Sequence, residues 1–354
     1  MARDTTLGDI SQDLPQDTAL APAVASAAAG RRVPRWVGPA ATVAVLACLL
    51  FMPQALGLGG LTTATTVLMY AVVALGWNLL GGAGGYLNFG MAVFFGAGVY
   101  TAAALNALGW GLWAGLVPAV VVATLIAVPV GLVTLRLRGY FFAIFTLVLT
   151  FLAQIVVRNS PWLGGAEGLY TTVDTTGGPR ALAATFYYAL LGLVVLAAAV
   201  AFLVEHSTLG HALRAIREDE DAAVVLGVRT VGVKMRALLI GAALAGAAGA
   251  VYAFLTGYVE PNGAFDVSFS LDIVLVCVIG GLGTWRGPLI GAAVVVLLEQ
   301  WLRTAIVDLG AWGLDIPAEA NRVVLGVLLI VFALFARRGI AGLFQRRRGR
   351  VVGV

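Results

Sequence analysis

The densest set of ionisable side chains is the stretch STLGHALRAIREDEDAAVVLGV at residues 207–228, where Arg214 and Arg217 precede Glu218, Asp219, Glu220 and Asp221. His211 lies within it and His206 just before it, five residues apart. Such side chains could ligate a metal or work as a general acid and base. Their placement favours neither. Both histidines read as solvated loop residues, and no Ser-His-Asp or Cys-His set forms around them. Cys48 and Cys277 lie inside apolar runs and read as small core residues, giving no disulfide framework or metal site. The single lysine, Lys234, is preceded by TVGV, which is not the glycine-rich phosphate loop G-x-x-x-x-G-K-[ST]. The sequence therefore predicts no catalysis in this chain.

The periodicity of the charged stretch predicts two short helices. Leu209, Ala212, Leu213 and Ile216 fall at i, i+3, i+4 and i+7, an apolar stripe opposite His211, Arg214 and Arg217. Thr208 is a candidate cap. A second helix is expected from near Asp219. Its acidic first turn suits the helix dipole, Ala222, Ala223 and Leu226 give it an apolar side, and Gly227 can end it. Ten of the chain's charges lie between Glu205 and Arg236. Two readings fit: docking into the groove of a soluble partner, or rest on a lipid surface. The four successive acids favour the partner, because an inner leaflet is itself negative.

The rest of the chain is of another kind. Its 354 residues are 60% hydrophobic and 11% charged, with 45 glycines and a net charge of +4; the mean hydropathy is +0.96. A soluble domain could not hide so much apolar surface. The fold class is therefore an all-α polytopic membrane protein. A β-barrel would need short alternating segments, which are missing. About ten transmembrane helices are expected, at 36–56, 61–80, 89–107, 113–134, 141–157, 183–204, 235–255, 269–283, 288–306 and 321–336. Residues 1–35 read as a disordered cytoplasmic tail, 36–336 as the membrane domain with the 205–236 loop inside it, and 337–354 as a basic cytoplasmic tail. With the N-terminus inside, Arg136, Arg138, Arg286 and the basic tail fall on one side together with the 205–236 loop. That agrees with the positive-inside rule and puts both termini in the cytoplasm.

Two segments interrupt the helical pattern with glycine: GGAGGYLNFGMAVFFGAGVY at 81–100 and VIGGLGTWRGPLIGA at 278–292. Breaks at matching places in two halves fit a repeated architecture with a transport path beside them. Close packing of helices through small residues fits equally well. Glu299 and Arg303, four apart, are expected to pair, and Asp272 is expected at a helix start.

Resemblance sharpens this reading. DAAVVLG (Asp221–Gly227) is similar to the EAA-x3-G signature of ATP-binding-cassette importer permeases, with Asp in place of Glu. The longer run from Gly210 to Val228 closely resembles the branched-chain amino acid permease family, its M-type subunit. RGYFFAIFTLVLTF (Arg138–Phe151), LGGAEGL (Leu163–Leu169) and the 278–292 block resemble further blocks of that family, in the same order, over about 80–300. The chain departs from the family pattern at Asn88 and Met91, where Ser and His are usual, and at Leu163, where Thr is usual.

The resemblance implies an importer permease fold with two related halves, in a bacterial cytoplasmic membrane. It implies alternating access driven by two ATP-binding cassette subunits, a second homologous permease subunit and an extracytoplasmic substrate-binding protein. ATP and Mg would be bound by the ATPases and no cofactor by this chain. Residues implied at the ATPase contact are Leu209, Gly210, Arg214, Ile216, Arg217, Glu218, Asp219, Glu220, Asp221, Ala222, Ala223 and Gly227. Candidates for the substrate path are Tyr86, Asn88, Tyr140, Thr146, Gly280, Gly281 and Gly283. Leu, Ile and Val are the expected substrates, and urea or short amides the alternative, since permeases for these share most of the blocks. An ion-coupled secondary transporter would need ionisable residues deep in the spans and has no use for the docking loop. A membrane enzyme would need a catalytic constellation that is not visible.

Overall fold

The computed structural model describes residues 47–173, 177–311 and 326. Both expected tails, most of the first expected span and all of the last but Gly326 lie outside the described residues. The long apolar runs become helices: α1 Leu58–Asn78, α2 Met91–Ala107, α3 Leu112–Thr134, α4 Tyr140–Arg158 and α5 Gly178–Glu205. After the loop helices α6 Thr208–Glu218 and α7 Glu220–Val225 come α8 Thr230–Thr256, the short α9 Pro261–Ala264, α10 Val267–Gly280 and α11 Gly287–Ala311. Expected spans two to nine each fall on one of these helices. Seven stretches are long and apolar enough to cross a membrane among the described residues, and α2 is a shorter apolar helix.

α8 is the central helix, packed against α1, α2, α3 and α5. Its small residues allow this. A Cβ on Gly98 of α2 would overlap the carbonyl of Gly246, and a Cβ on Gly249 would overlap that of Phe95. Backbones that approach this closely gain dispersion contact without any help from the hydrophobic effect, which is absent inside lipid. α3 and α4 are peripheral. Trp113, Val117, Val121 and Leu125 of α3 leave one apolar face exposed, as do Phe141, Ile144, Val148 and Ile155 of α4.

The chain ends of these helices gather at two poles. One pole holds the 205–229 loop, the ends of α1 and α3, and the α10–α11 turn, as contacts between them show. The other holds a two-residue antiparallel pair, β1 Leu169–Tyr170 with β2 Tyr258–Val259. The glycines of the 163–169 segment serve that pole: Gly164, Gly165 and Gly168 all have positive φ, and a Cβ on Gly168 would overlap the Val259 carbonyl. Two expected caps are corrected here. α6 is capped by Ser207, whose hydroxyl accepts from the Gly210 N–H, and not by Thr208, its first helical residue. α10 is capped by Asp266, which accepts from the Ser268 N–H, while Asp272 lies inside the helix within 3.5 Å of the Tyr70 hydroxyl.

Candidate functional site

The site is built where the charged loop meets the two glycine breaks. α1 ends in a π-helical turn, Leu79–Ala83. Such turns are uncommon and are found often at functional sites. The chain then runs without helical hydrogen bonds until α2 starts at Met91. Non-helical backbone packed among helices must find protein partners for its polar groups, and here side chains supply them. Trp77 Nε1 donates to the Asn88 carbonyl at 2.7 Å, and Thr146 Oγ1 accepts from the Phe89 N–H at 3.1 Å. Thr150 donates to the Phe89 carbonyl at 3.3 Å, Asn88 Oδ1 accepts from the Gly90 N–H at 2.8 Å, and Ser270 Oγ accepts from the Ala92 N–H at 3.0 Å. Asn88 and Met91, the two departures from the resembling family here, touch each other, Nδ2 to Sδ 3.7 Å.

The second break is the turn between α10 and α11. Asn78 at the end of α1 clasps it, Oδ1 accepting from the Gly283 N–H at 2.9 Å and Nδ2 donating to the Thr284 carbonyl at 3.0 Å. Glu205 at the end of α5 accepts from the Trp285 N–H at 2.9 Å. The two glycine breaks therefore meet, at the loop pole.

The loop sits on this junction. Gly210 lets α6 fold back on α5, since a Cβ there would overlap the Val204 carbonyl. Gly210, Leu213 and Ile216 are buried beneath α6. Arg214 donates to the Gly210 and Glu205 carbonyls, and Arg217 donates to the Gly82 carbonyl in the π turn at 2.7 Å. Asp219 caps α7, accepting from Asp221 N–H at 2.9 Å and Ala222 N–H at 3.0 Å. α7 ends at Gly227, φ 86°, with Gly227 N–H bonded to Val224 O and Val228 N–H to Ala223 O. This is the Schellman arrangement, which needs a left-handed residue at that position.

Under α7 lies a buried ion pair. Lys234 is 1% exposed, and its ammonium donates to Glu220 Oε1 at 2.7 Å, to the Tyr86 hydroxyl at 3.0 Å and to the Leu135 carbonyl at 3.1 Å. Tyr86 in turn donates to the other oxygen of Glu220. Arg138 closes the group from outside, 3.7 Å from Glu220 and 2.7 Å from Asp221. Burial works to raise the Glu220 carboxyl, but the hydrogen bonds from Lys234 and Tyr86 outweigh it and hold the group below the usual carboxylate value. Burial first, then the bond to Glu220, push the Tyr86 hydroxyl far up, so it stays a donor.

The expected site residues divide. Of the loop set, Gly210, Ile216 and Ala223 are buried and Leu209 is half-buried; Arg214, Arg217, Asp219 and Glu220 make the contacts above. Glu218, Asp221, Ala222 and Gly227 are exposed. The path set does not form one site. Asn88 and Thr146 come together around the 88–90 backbone. Gly283 meets Gly82 and Asn78 at the junction, Gly281 ends α10 with φ 121°, and a Cβ on Gly280 would overlap the Gly287 carbonyl. Tyr86 belongs to the Glu220–Lys234 group, and Tyr140 stands 87% exposed on α4. Lys234, Arg138, Glu205 and the exposed Val225 (86%) lie outside the expected set, and of the apolar side expected for this helix only Ala223 is buried, while Ala222 and Leu226 (81%) are exposed. No spacing marked Lys234, which stands between Arg229 and Arg236 at the start of α8; its burial is decided by contacts with residues far away in sequence.

The family described as branched-chain amino acid transport system / permease component matches residues 60–333. The chain belongs to this family of permeases. The permease is similar to the high-affinity branched-chain amino acid transport system permease protein LivM of Salmonella typhimurium and of Escherichia coli. Each is 30% identical over 288 residues, covering 74% of this chain and 68% of the relative. The autoinducer 2 import system permease protein LsrC of Escherichia coli is 28% identical over 179 residues, half of each chain. No solved structure matches the permease. A permease component carries solute and is not an enzyme, and its family implies ATPase and binding-protein partners and a membrane setting.

Proposed function

We propose that the permease is the M-type membrane subunit of an ATP-driven importer of branched-chain amino acids. In this reading two ATPase subunits, a second homologous permease and one extracytoplasmic binding protein complete the assembly, and ATP and Mg belong to the ATPases. The observation that carries it is the 205–229 loop. Its inner side is pinned to both glycine breaks, while Val224, Val225 and Leu226 project from α7 with Glu218 and Asp221 around them. An exposed apolar tip rimmed by charge suits a partner groove. The pole that carries it also carries Arg136, Arg138, Arg229, Arg236 and Arg286, which supports a cytoplasmic placement and both termini inside.

Alternating access would follow from the junction. Movement of the loop by the ATPases would be felt first by the π turn through Arg217 and by the unwound 84–90 segment through Glu220. Asn88 and Thr146, which hold that segment's backbone, would then lie along the substrate path. The test is uptake of labelled leucine in cells lacking this chain and in the same cells with it restored, with excess urea as competitor. Loss on deletion and recovery on restoration, indifferent to urea, is the expected result. Leucine uptake unchanged by deletion would overturn the substrate, and failure of the chain to co-purify with any ATPase subunit would overturn the importer.

A further inference from the structure

We propose that Lys234, Glu220 and Tyr86 form the positioning link that carries movement of α7 into the unwound 84–90 segment. The inference rests on the reading of the loop as the ATPase contact, and goes beyond it by naming the route from that contact to the membrane helices.

Three observations carry it. The ammonium of Lys234 spends its donors on three acceptors from three separate elements: Glu220 in α7, Tyr86 in the unwound segment and the Leu135 carbonyl at the end of α3. α7 is only six residues long, and its other two ion pairs both go to the exposed Arg138, from Asp221 at 2.7 Å and from Glu220 at 3.7 Å, and are therefore weak. The buried pair is the strong polar attachment of α7. Finally, the segment it grips has no helical ladder of its own between Gly84 and Gly90. Single side-chain bonds from Trp77, Thr146 and Thr150, and one backbone bond from the Tyr86 N–H to the Leu80 carbonyl at 3.2 Å, hold it. A pull on Tyr86 moves a stretch that resists less than any helix around it, and Asn88 lies two residues further on. Arg217, fixed to Gly82, holds the start of the same stretch, so the loop grips the break at two points.

The test follows movement directly, in the full complex with its ATPase subunits in lipid discs. A background of Cys48→Ser with Leu87→Cys places one accessible thiol on the segment; Leu87 is exposed and Cys277 is buried. Alkylation rate is measured without nucleotide and with ATP trapped by vanadate. The background should change its rate by at least about fivefold between the two states, the lower end of an ordinary coupling between sites. The double variant Glu220→Gln with Lys234→Met leaves no lone buried charge and should bring that ratio toward unity. Tyr86→Phe, which keeps both charges paired, should reduce it by less. A merely structural role would shift both rates together and leave the ratio alone, and that result overturns the link. A background whose rate does not respond to ATP overturns it as well. Should the double variant fail to assemble, Tyr86→Phe decides by the same ratio. Absence of ATPase subunits from the unmodified complex is a different failure, which sinks the importer reading beneath it.

Discussion

The two glycine breaks look alike in sequence and are built in opposite ways. In the first, at 79–90, missing side chains make room for other side chains. A Cβ on Gly81 would lie 2.5 Å from the Trp77 ring, and one on Gly82 would overlap the Asn78 amide. Trp77 and Asn78 use that space to bond the Asn88 carbonyl and the second break. In the second, at 280–291, missing side chains make room for backbone. Gly280, Gly287 and Gly291 face the carbonyls of Gly287, Gly281 and Val276, so α10 and α11 turn back on each other in close contact. The first break is held open by side chains packed into the space its glycines leave, and the second by close backbone packing, with Asn78 and Glu205 clasping it from outside. A segment of the first kind can change partners, whereas close-packed backbone cannot give way by degrees.

Removing one charge from beneath the first break should have the largest effect. Lys234→Met leaves the Glu220 carboxylate without its buried partner, and breaking such pairs costs about 3–5 kcal/mol. Thermal unfolding of the purified protein should show it, and a stability unchanged from the parent would break the contrast. Next comes the second break. Gly291→Ala presses a methyl into the Val276 carbonyl, an overpacking cost of about 1–3 kcal/mol. Full stability in this variant would mean that the turn is not closed by backbone contact.

Thr146→Val is the sharper test of the first break, since shape is kept and only the hydroxyl is lost, which accepts from the Phe89 N–H and donates to the Ala143 carbonyl of its own helix. The Phe89 N–H would be left unpaired at a cost of about 1–2 kcal/mol. Hydrogen exchange should quicken at 86–90 and stay unchanged at 281–286. Acid should act on the same side of the contrast. Glu220 binds a proton less readily folded than unfolded, because its carboxyl is held below the ordinary value. Its contribution to stability is full above the ordinary carboxylate pKa and is lost as pH falls through the lower folded value. A stability-against-pH profile should therefore lose its acid limb in part when Glu220 is replaced by Gln. The smallest effect belongs to Glu299→Gln, outside both breaks. Its partner Arg303 is 3.3 Å away on an exposed face of α11, and such pairs are worth about 0.5 kcal/mol.

Much of the architecture was legible from the residues. The runs that became α1 to α5, α8, α10 and α11 are long and nearly free of charge, and a helix is one of the few forms that satisfies its own backbone in lipid. The stripe through Leu213 and Ile216 and the stop at Gly227 were legible too, because helical period and positive φ leave local marks. Thr208 and Asp272 were misjudged as helix starts. A cap is decided by which residue leaves helical backbone first, and Ser207 and Asp266, close in sequence, did so.

The sequence by itself determined that this is a helical membrane protein with one amphipathic, charged loop among its described spans, and that glycine interrupts its helices twice. These follow from composition and spacing within a few turns of chain. Only the tertiary structure decided that the two breaks touch, that Asn78 bridges them, and that Lys234 meets Glu220 and Tyr86. Tyr86 and Lys234 are 148 positions apart. Hydrogen bonds and ion pairs over such separations depend on which faces of α1, α8 and the loop come together, and that is set by how closely small residues let the helices approach.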